Sequence, residues 1–231
     1  TRTRFSLGDF EFRNATFNIH WTPGASTSSG NAICIGARGT DSSYFTVYDS
    51  LLAIPMGNVR LRNLRLNIIG GTSASVIQLV GGLDGLTIDG VYINGNGTLT
   101  QGITYEFGWA TNEAVQSTRQ TSHMHNFEIL NIHAEHMDNA GSGSAAVLLT
   151  GAYNGLVANV HTTGVSNAVL ANVGEAMFFR PWVGVDDVPG KKITLRNINA
   201  DNFLNAGVLV DGTVTRVAGS GYLQAAWTIL T

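Results

Sequence analysis

The sequence predicts an all-β protein, a single-stranded right-handed parallel β-helix, on three observations. An alternating apolar and polar phrase with one slip, NVRLRNLRLNIIGG at 58–71, returns several times along the chain. The chain has 28 glycines but only 4 prolines, which suits many tight turns between short strands. No segment combines sustained helical periodicity with convincing caps. Repeats made of strands alone favour a β-helix over a helical or leucine-rich solenoid, and a β-sandwich leaves the recurring phrase without a role.

The repeated phrase predicts a strand, a tight turn and a second strand. In 58–71 the apolar residues alternate with arginine and asparagine in two short runs that meet at Asn63. Copies lie at 10–20, 86–97, 127–136, 156–164 and 193–202. Aligned on the slip, the pivot residues are Asn14, Asn63, Gly90, Asn131, Asn159 and Asn197. We expect the asparagines to stack and to hydrogen-bond through their side-chain amides, with Gly90 as a gap, which is a structural role and not a catalytic one.

The pivot spacing predicts how the chain is divided. From Asn63 onward the pivots are 27, 41, 28 and 38 residues apart, and an interval near 27 suits one coil of three short strands. We therefore expect one continuous domain with irregular coils in 1–57, regular coils in 58–231, and wall insertions at 108–126 and 174–192. Without a signal peptide or an initiating methionine, the chain is expected to be a fragment of a longer one.

Stacked coils convert the alignment into columns of side chains. We expect one outward column just after the pivots, formed by Arg65, Tyr92, His133, His161 and Asn199. A second strand in each coil predicts another outward column, Val80, Glu106, Thr150, Asn172 and Asp211, with a neighbouring column Gln78, Thr104, Leu148, Leu170 and Leu209. Because three stacked leucines on an outer face would not stay in water, we expect them to meet another chain or an appended loop.

Composition excludes several classes of partner. The net charge is −3 and the isoelectric point is about 6.0, so nothing favours binding to a nucleic-acid backbone. No apolar run reaches the roughly 18 residues that a membrane span needs, so no membrane insertion is expected. The single Cys34 excludes an intramolecular disulfide, and its neighbours Ile33 and Ile35 suggest a buried thiol.

The two insertions carry the residues expected to form a functional site. Long excursions from a rigid scaffold are common places for binding and catalysis. Here the excursions combine tryptophan, which can stack on sugar rings, with carboxylates and arginine, which can bind hydroxyl or acidic groups. The candidates are Glu106, Trp109, Glu113, Arg119, His125, Glu175, Arg180 and Trp182.

Paired carboxylates suggest glycoside hydrolysis, in which one protonates the leaving oxygen and the other activates water or attacks. We expect Glu106 to be the acid or nucleophile, with Glu175 or Glu113 as its partner and Asp138 as a competing partner. Glu106 and Glu175 lie where the two insertions leave the wall of the β-helix, two coils apart. The resulting separation of roughly 10 Å favours an inverting reaction. The alternative for each acid is a solvated or ion-paired surface group. Substrate-binding roles fall to the other candidates, Trp109, Arg119, His125, Arg180 and Trp182.

A lyase and a metal enzyme are the other chemistries that the insertions allow. In a lyase, Tyr105, Arg119 or His125 could act as the base on a uronic acid, with Arg180 neutralising the carboxylate. His123 and His125, or His133 and His136 around Glu135, could begin a metal site. That spacing is common by chance and no third ligand presents itself, so no metal and no cofactor is expected.

With these residues in view, the chain resembles the β-helix domain of bacteriophage tailspikes and tail fibre depolymerases, within the pectate-lyase-like superfamily. The resemblance rests on the repeats across 58–212 and on the inserts EFGWATNE (106–113) and GEAMFFRPW (174–182). It implies a homotrimer on the virion, joined to the rest of the phage tail, that acts extracellularly at the host cell surface. It also implies binding of capsule or lipopolysaccharide O-antigen, and cleavage of that polysaccharide by an endo-glycosidase. The alternatives are a non-catalytic receptor-binding or structural tail module, and a polysaccharide lyase acting on uronic acids.

Overall fold

The part of the chain that the structure describes is built from strands. A computed structural model describes residues 9–20, 32–36, 56–70, 75–80, 83–97, 101–106, 124–137, 145–150, 152–165, 167–172, 192–202, 206–211 and 226–230. No residue in these ranges is helical, so they contain no helix that could cross a membrane. The prediction of an all-β chain is confirmed for these residues.

Fifteen strands are described. They are β1 (Glu11–His20), β2 (Ile33–Gly36), β3 (Met56–Gly57), β4 (Arg60–Gly70), β5 (Ser75–Val80), β6 (Leu83–Asp84), β7 (Thr87–Asn94), β8 (Gln101–Glu106), β9 (Met124–Met137), β10 (Ala145–Thr150), β11 (Tyr153–Val165), β12 (Asn167–Asn172), β13 (Lys192–Asp201), β14 (Ala206–Asp211) and β15 (Ala226–Leu230).

The strands form two parallel sheets whose spatial order follows the chain. The main path of the larger sheet is β1-β4-β7-β9-β11-β13-β15, with β3 and β6 beside it, and the smaller sheet runs β2-β5-β8-β10-β12-β14. From β4 onward the chain passes back and forth between the two sheets, so each repeat lies against the repeats before and after it in the sequence. Parallel strands of this kind need connections that cross over. The arrangement is compatible with the predicted β-solenoid.

The alternating phrase places one row of apolar side chains in the core. Val59, Leu61, Leu64, Leu66 and Ile68 are all between 0 and 2% exposed. The phrase is not interrupted by a separate turn, however. β4 runs through Asn63 as one strand, which bends at that residue because Asn63 has a φ of +53°. This left-handed conformation suits asparagine better than most residues with a side chain.

The pivots form the predicted ladder of side-chain amides. Asn63 donates to Asn14 over 3.2 Å, Asn159 donates to Asn131 over 2.9 Å, and Asn197 donates to Asn159 over 2.8 Å. At Gly90 the ladder is bridged rather than broken, because the Asn131 amide donates to the carboxylate of the preceding Asp89 over 2.7 Å. The glycine itself leaves room for the Asn63 side chain, whose Oδ1 would lie 2.9 Å from an added Cβ.

A second column of left-handed residues lies five residues before the first, and the sequence analysis did not anticipate it. Its members have φ between +52° and +81° and are Asp9, Asn58, Gly85, Asn126 and Asn154. An aspartate followed by a corner glycine, as at Asp89 and Gly90, recurs in this column. Asn126 donates to Asp84 over 2.8 Å, and Gly85 occupies the corner. A third set of corners follows at His136, Gly164 and Asn202, again five residues on. β9 and β11 are therefore bent at three corners, five residues apart.

In the smaller sheet, the line of side chains beside the predicted outward column is covered. Gln78, Thr104, Leu148, Leu170 and Leu209 do share one register line, as expected. Gln78, Thr104 and Leu148 are, however, only 4%, 0% and 8% exposed within the single chain. Leu148 is buried with Ala145 in a small cluster separate from the main core. Its burial therefore does not require another chain.

The prediction of a buried thiol at Cys34 is wrong. The side chain is exposed, whereas Ile35 is buried. Successive residues of a strand point to opposite faces, so the isoleucine that faces the core turns the cysteine away from it.

Candidate functional site

Most of the predicted site residues lie outside the part of the chain that the structure describes. Trp109, Glu113, Arg119, Glu175, Arg180 and Trp182 lie outside the described residues, as do His123 and Asp138. Glu106 ends β8, where its backbone pairs with that of Val80. Of these predicted residues, His125 in β9 is described together with its contacts.

His125 contacts a carboxylate of a neighbouring repeat. Its Nε2 lies 3.5 Å from Oδ2 of Asp84, and 17% of its side chain is exposed. The other carboxylate oxygen of Asp84 accepts from Asn126 at the corner. An open groove of about 470 Å³ runs beside this corner, across the repeats, with Glu128, Thr87 and Thr194 on its walls.

Tyr105, a predicted base for the lyase chemistry, is unsuited to that role. It is 0% exposed, and its hydroxyl oxygen accepts a hydrogen bond from the Met124 backbone N–H over 2.7 Å. A base must reach the proton that it removes. The buried Tyr105 hydroxyl serves instead to fix the start of β9.

The most organised polar feature of the described residues is the column predicted just after the pivots, which we call the ring column. Its members, Arg65, Tyr92, His133, His161 and Asn199, lie on one register line across β4, β7, β9, β11 and β13. Arg65 is exposed, with its guanidinium carbon 4.0 Å from the centre of the Tyr92 ring. Tyr92 stacks on His133 at 5.3 Å between centroids, and His133 lies 5.0 Å from His161. The predicted outward column is confirmed.

The stacking decides which parts of the rings meet solvent. Their faces are turned toward one another along the stack, and the three rings are half-buried. The ring edges that the stacking leaves uncovered carry a phenol hydroxyl and imidazole nitrogens, which donate or accept hydrogen bonds. The ring column thus offers a line of polar edges, one for each repeat, and a guanidinium at one end.

Glu135 joins the ring column from the next outward position. The Tyr92 hydroxyl donates to its carboxylate, the Asn94 amide donates to the same oxygen over 3.3 Å, and His133 Nε2 lies 3.6 Å from the other oxygen. The Tyr92 hydrogen bond lowers the pKa of Glu135, against the effect of burial, and His133 lowers it further. Burial, followed by the hydrogen bond to Glu135, raises the pKa of Tyr92. At neutral pH the pair is a carboxylate that accepts from a neutral phenol.

These protonation states limit the chemistry. A general acid in glycoside hydrolysis needs a raised pKa so that it holds a proton at neutral pH. Glu135 has the opposite shift, so it can accept hydrogen bonds but is a poor proton donor. Within the described ranges, no group of three or more histidine, cysteine, aspartate or glutamate residues could hold a metal ion. The ring column is therefore suited to binding and not to acid catalysis.

Replacing Tyr92 by phenylalanine should raise the pKa of Glu135 toward its ordinary value. The hydroxyl makes the largest contribution to the lowered value, and phenylalanine keeps the ring stack while removing it. A carboxyl with a lowered folded-state pKa stabilises the fold above its unfolded pKa, and this stabilisation is lost as the pH falls through the folded pKa. Carboxyl NMR titration should show the shift. The variant should be less stable than the wild type at neutral pH, and the difference should shrink as the pH falls through the folded-state pKa of Glu135 in the wild type. An unchanged Glu135 titration would contradict the assigned hydrogen bond.

The sequence analysis placed Glu135 only beside a possible metal site and missed its contact with the ring column, although a signal for that contact was present. Glu135 lies two residues after His133, so it shares the outward face of β9, and it is opposite Asn94 of β7. A carboxylate two residues from a member of an outward column lies on the same face of the strand, so a polar contact with the column is expected.

Comparison of the chain with protein-family models, with curated proteins and with solved structures finds no match. The functional assignment therefore depends on the geometry described above and on the resemblance of the sequence repeats.

Proposed function

We propose that the chain is part of a bacteriophage tailspike, a right-handed parallel β-helix that assembles as a homotrimer on the virion and is joined to the rest of the tail. In this proposal it binds bacterial surface polysaccharide, capsule or O-antigen, outside the host cell and hydrolyses it as an endo-glycosidase. The ring column is the observation that best supports polysaccharide binding.

A polysaccharide suits the ring column because both are linear and rich in hydrogen-bonding groups. The column runs across the strands, so it repeats its polar edges about every 4.8 Å along the stacking direction. A second outward line beside it adds amide, hydroxyl and carboxylate groups from Asn67, Asn94, Thr163 and Asp201. The two lines give an extended polyhydroxyl chain both donors and acceptors over several repeats.

Cleavage is proposed for the region where β8 ends. Glu106 acts as the acid or nucleophile, with Glu175 or Glu113 as its partner, and Trp109 and Trp182 contact the sugar rings. Arg119, His125 and Arg180 bind polar substrate groups. Support for Glu106 over Glu135 comes from the lowered pKa of Glu135, which unsuits that residue to proton donation.

A recognition module without catalytic activity is the second candidate. Two carboxylates of the described surface, Asp84 and Glu135, are both engaged in hydrogen bonds or in contacts with histidine within the protein. This arrangement is what a binding surface needs, and it supplies no free acid and base pair.

One experiment tests binding and cleavage together. Polysaccharide from a susceptible host is incubated with the wild type, with Glu106→Gln, with His161→Ala and with the control Glu11→Gln, which removes an exposed carboxylate of β1. We expect Glu106→Gln to bind normally and to release reducing ends at least about 100-fold more slowly, as loss of a general acid predicts. We expect His161→Ala to bind more weakly, and Glu11→Gln to resemble the wild type.

Each outcome separates the candidates. Reducing ends without ultraviolet-absorbing product support the hydrolase, whereas unsaturated product supports a lyase. Binding without cleavage by any protein leaves the recognition module. Cleavage by Glu106→Gln at the wild-type rate would show that Glu106 is not part of the catalytic site. Unaltered binding by His161→Ala would show that the ring column does not bind the polysaccharide.

A further inference from the structure

Arg65 carries a permanent positive charge at the β4 end of the ring column, and a contact with a ring holds it there. Its side chain is exposed, and its guanidinium carbon lies 4.0 Å from the centre of the Tyr92 ring. Tyr92 is held in turn by its stack on His133 and by its hydrogen bond to Glu135. The guanidinium therefore has a defined position although it lies at the surface.

The contact with Tyr92 uses the face of the guanidinium and not its hydrogen-bond donors. A guanidinium is planar and carries five N–H donors around its edge. The tyrosine ring covers one face of that plane, whereas the N–H groups point outward within it. The two oxygens of a carboxylate match this fork and can be bound by two parallel hydrogen bonds. A fork that is already positioned loses less conformational freedom when it binds a ligand.

The charges of the neighbouring strands differ in sign along the ring column. β4 contains Arg60, Arg62 and Arg65 and no carboxylate. β9, two strands further along the column, contains Glu128 and Glu135 and no lysine or arginine. The whole chain has a net charge of −3, so β4 is a local positive region on a negatively charged molecule. Exposed charges interact over about 8 Å at physiological salt, so an anionic group is favoured near β4 and not near β9.

We propose that the ligand of the ring column is an acidic polysaccharide, and that Arg65 binds the carboxylate of one of its sugar residues. This inference rests on the proposed binding of polysaccharide by the ring column and names the class of that polysaccharide. Sugar hydroxyl groups lie along the polar edges of Tyr92, His133 and His161, while the carboxylate faces the Arg65 fork. Thr16, the register partner of Arg65 in β1, is exposed and adds a hydroxyl beside the same position.

Glu135 restricts where the acidic residues of the polysaccharide can lie. Its pKa is lowered, so it is a carboxylate at neutral pH. It lies two strands from Arg65, roughly 10 Å at 4.8 Å per strand. A sugar carboxylate placed beside it would meet a like charge, which disfavours binding. The ring column therefore suits a polysaccharide whose acidic residues are separated by neutral ones.

A purely structural role for Arg65 predicts a different result. If the guanidinium only stabilised the ring stack, its loss would weaken the binding of acidic and neutral sugars alike, through Tyr92. If it binds a carboxylate, its loss weakens the binding of the acidic sugar alone. A pair of ligands that differ only in the carboxylate separates the two roles.

The test therefore compares two tetrasaccharides. One is xylotriose carrying a single glucuronic acid, and the other is its carboxyl-reduced, neutral form. Each is titrated into the full chain while NMR follows the Nε–Hε signals of arginine, and the Arg65 signal is identified by its loss in Arg65→Lys. The affinity of each is also measured for Arg65→Gln and for the control Arg196→Gln, which removes an exposed arginine of β13 outside the ring column.

We expect the acidic tetrasaccharide to shift the Arg65 signal saturably and to bind Arg65→Gln about tenfold more weakly, because one charge-assisted pair is lost. Arg196→Gln should bind it as the wild type does, and the neutral form should not distinguish Arg65→Gln from the wild type. Equal affinity of the wild type for the two tetrasaccharides would overturn the inference. Equal weakening by Arg196→Gln, or no shift of the Arg65 signal up to millimolar acidic ligand, would overturn it as well.

Failure of this inference can be told from failure of the proposed function. Host polysaccharide that binds the wild type and Arg65→Gln equally, but His161→Ala more weakly, would leave the ring column as the binding surface and remove only the role of Arg65. A saturable shift of the Arg65 signal by the acidic tetrasaccharide, without binding or cleavage of host polysaccharide, would support the carboxylate site and contradict the tailspike function.

Discussion

Replacing Gly155 by alanine is expected to lower the free energy of unfolding by about 1–3 kcal/mol, and valine should cost more. A Cβ added at Gly155 would lie 2.2 Å from Cε1 and 2.3 Å from Cζ of Phe127, its register partner in β9. Phe127 is 1% exposed, so a shift of the ring would disturb the side chains packed around it. One glycine therefore makes room for an aromatic ring that fills the core of two neighbouring repeats.

Urea unfolding of three further variants checks this explanation. Gly57→Ala is the matched control, because its added Cβ would lie no closer than 3.9 Å to any neighbour, and it should be neutral or slightly stabilising. Phe127→Leu should destabilise the chain by leaving space, and combining it with Gly155→Ala should cost less than the sum of the two single changes. Strict additivity of the two changes would contradict the proposed contact.

Replacing Asn131 by alanine is expected to cost about 2 kcal/mol of stability. Asn131 lies in the middle of the ladder, where it donates to Asp89 and accepts from Asn159, and it has a φ of +56°. Alanine removes both hydrogen bonds and places a Cβ in the left-handed region without any compensation. The side chain is exposed, which places the contribution of each bond near the lower end of the usual range.

Glycine at the same position separates the two causes. Asn131→Gly loses the hydrogen bonds but adopts the corner without strain, so it should be less destabilising than Asn131→Ala. Asn199→Ala is the control, since Asn199 is exposed in an extended part of β13, and it should change stability by less than about 0.5 kcal/mol. If Asn131→Ala is as stable as this control, the ladder does not stabilise the fold.

The all-β character, the repeat register and the first ladder could be predicted because each depends on local pattern. Period-2 alternation fixes which residues face the core, and the slip at Asn63 marks the corner. The second column of left-handed residues was missed because Asn58, Asn126 and Asn154 lie where ordinary turn asparagines are expected. Their five-residue spacing from the pivots was the available signal. Gly90 was correctly aligned, but the bridging role of Asp89 depends on a side-chain rotamer and not on the alignment.

The contacts of the candidate site were less predictable. That Tyr92 and His133 face outward follows from counting along the strands from the corner. The contact from Tyr92 to Glu135 is diagonal, two residues beyond the direct register partner, and joins residues 43 positions apart. Diagonal pairs are within reach of long side chains but are not required by the register. The burial of Gln78, Thr104 and Leu148 is likewise not encoded in their own strands, since it depends on what covers the outer face.

The agreement between strand order and chain order bears on how such a molecule can change its length in evolution. Each repeat in the two sheets has its sequence neighbours as its spatial neighbours. Duplication or deletion of one whole unit, such as the 28 residues that separate Asn131 from Asn159, would create one new junction and leave every other junction as it was. Recombination can therefore lengthen or shorten the stack one unit at a time, provided that the corner residues of the joined units stay in phase.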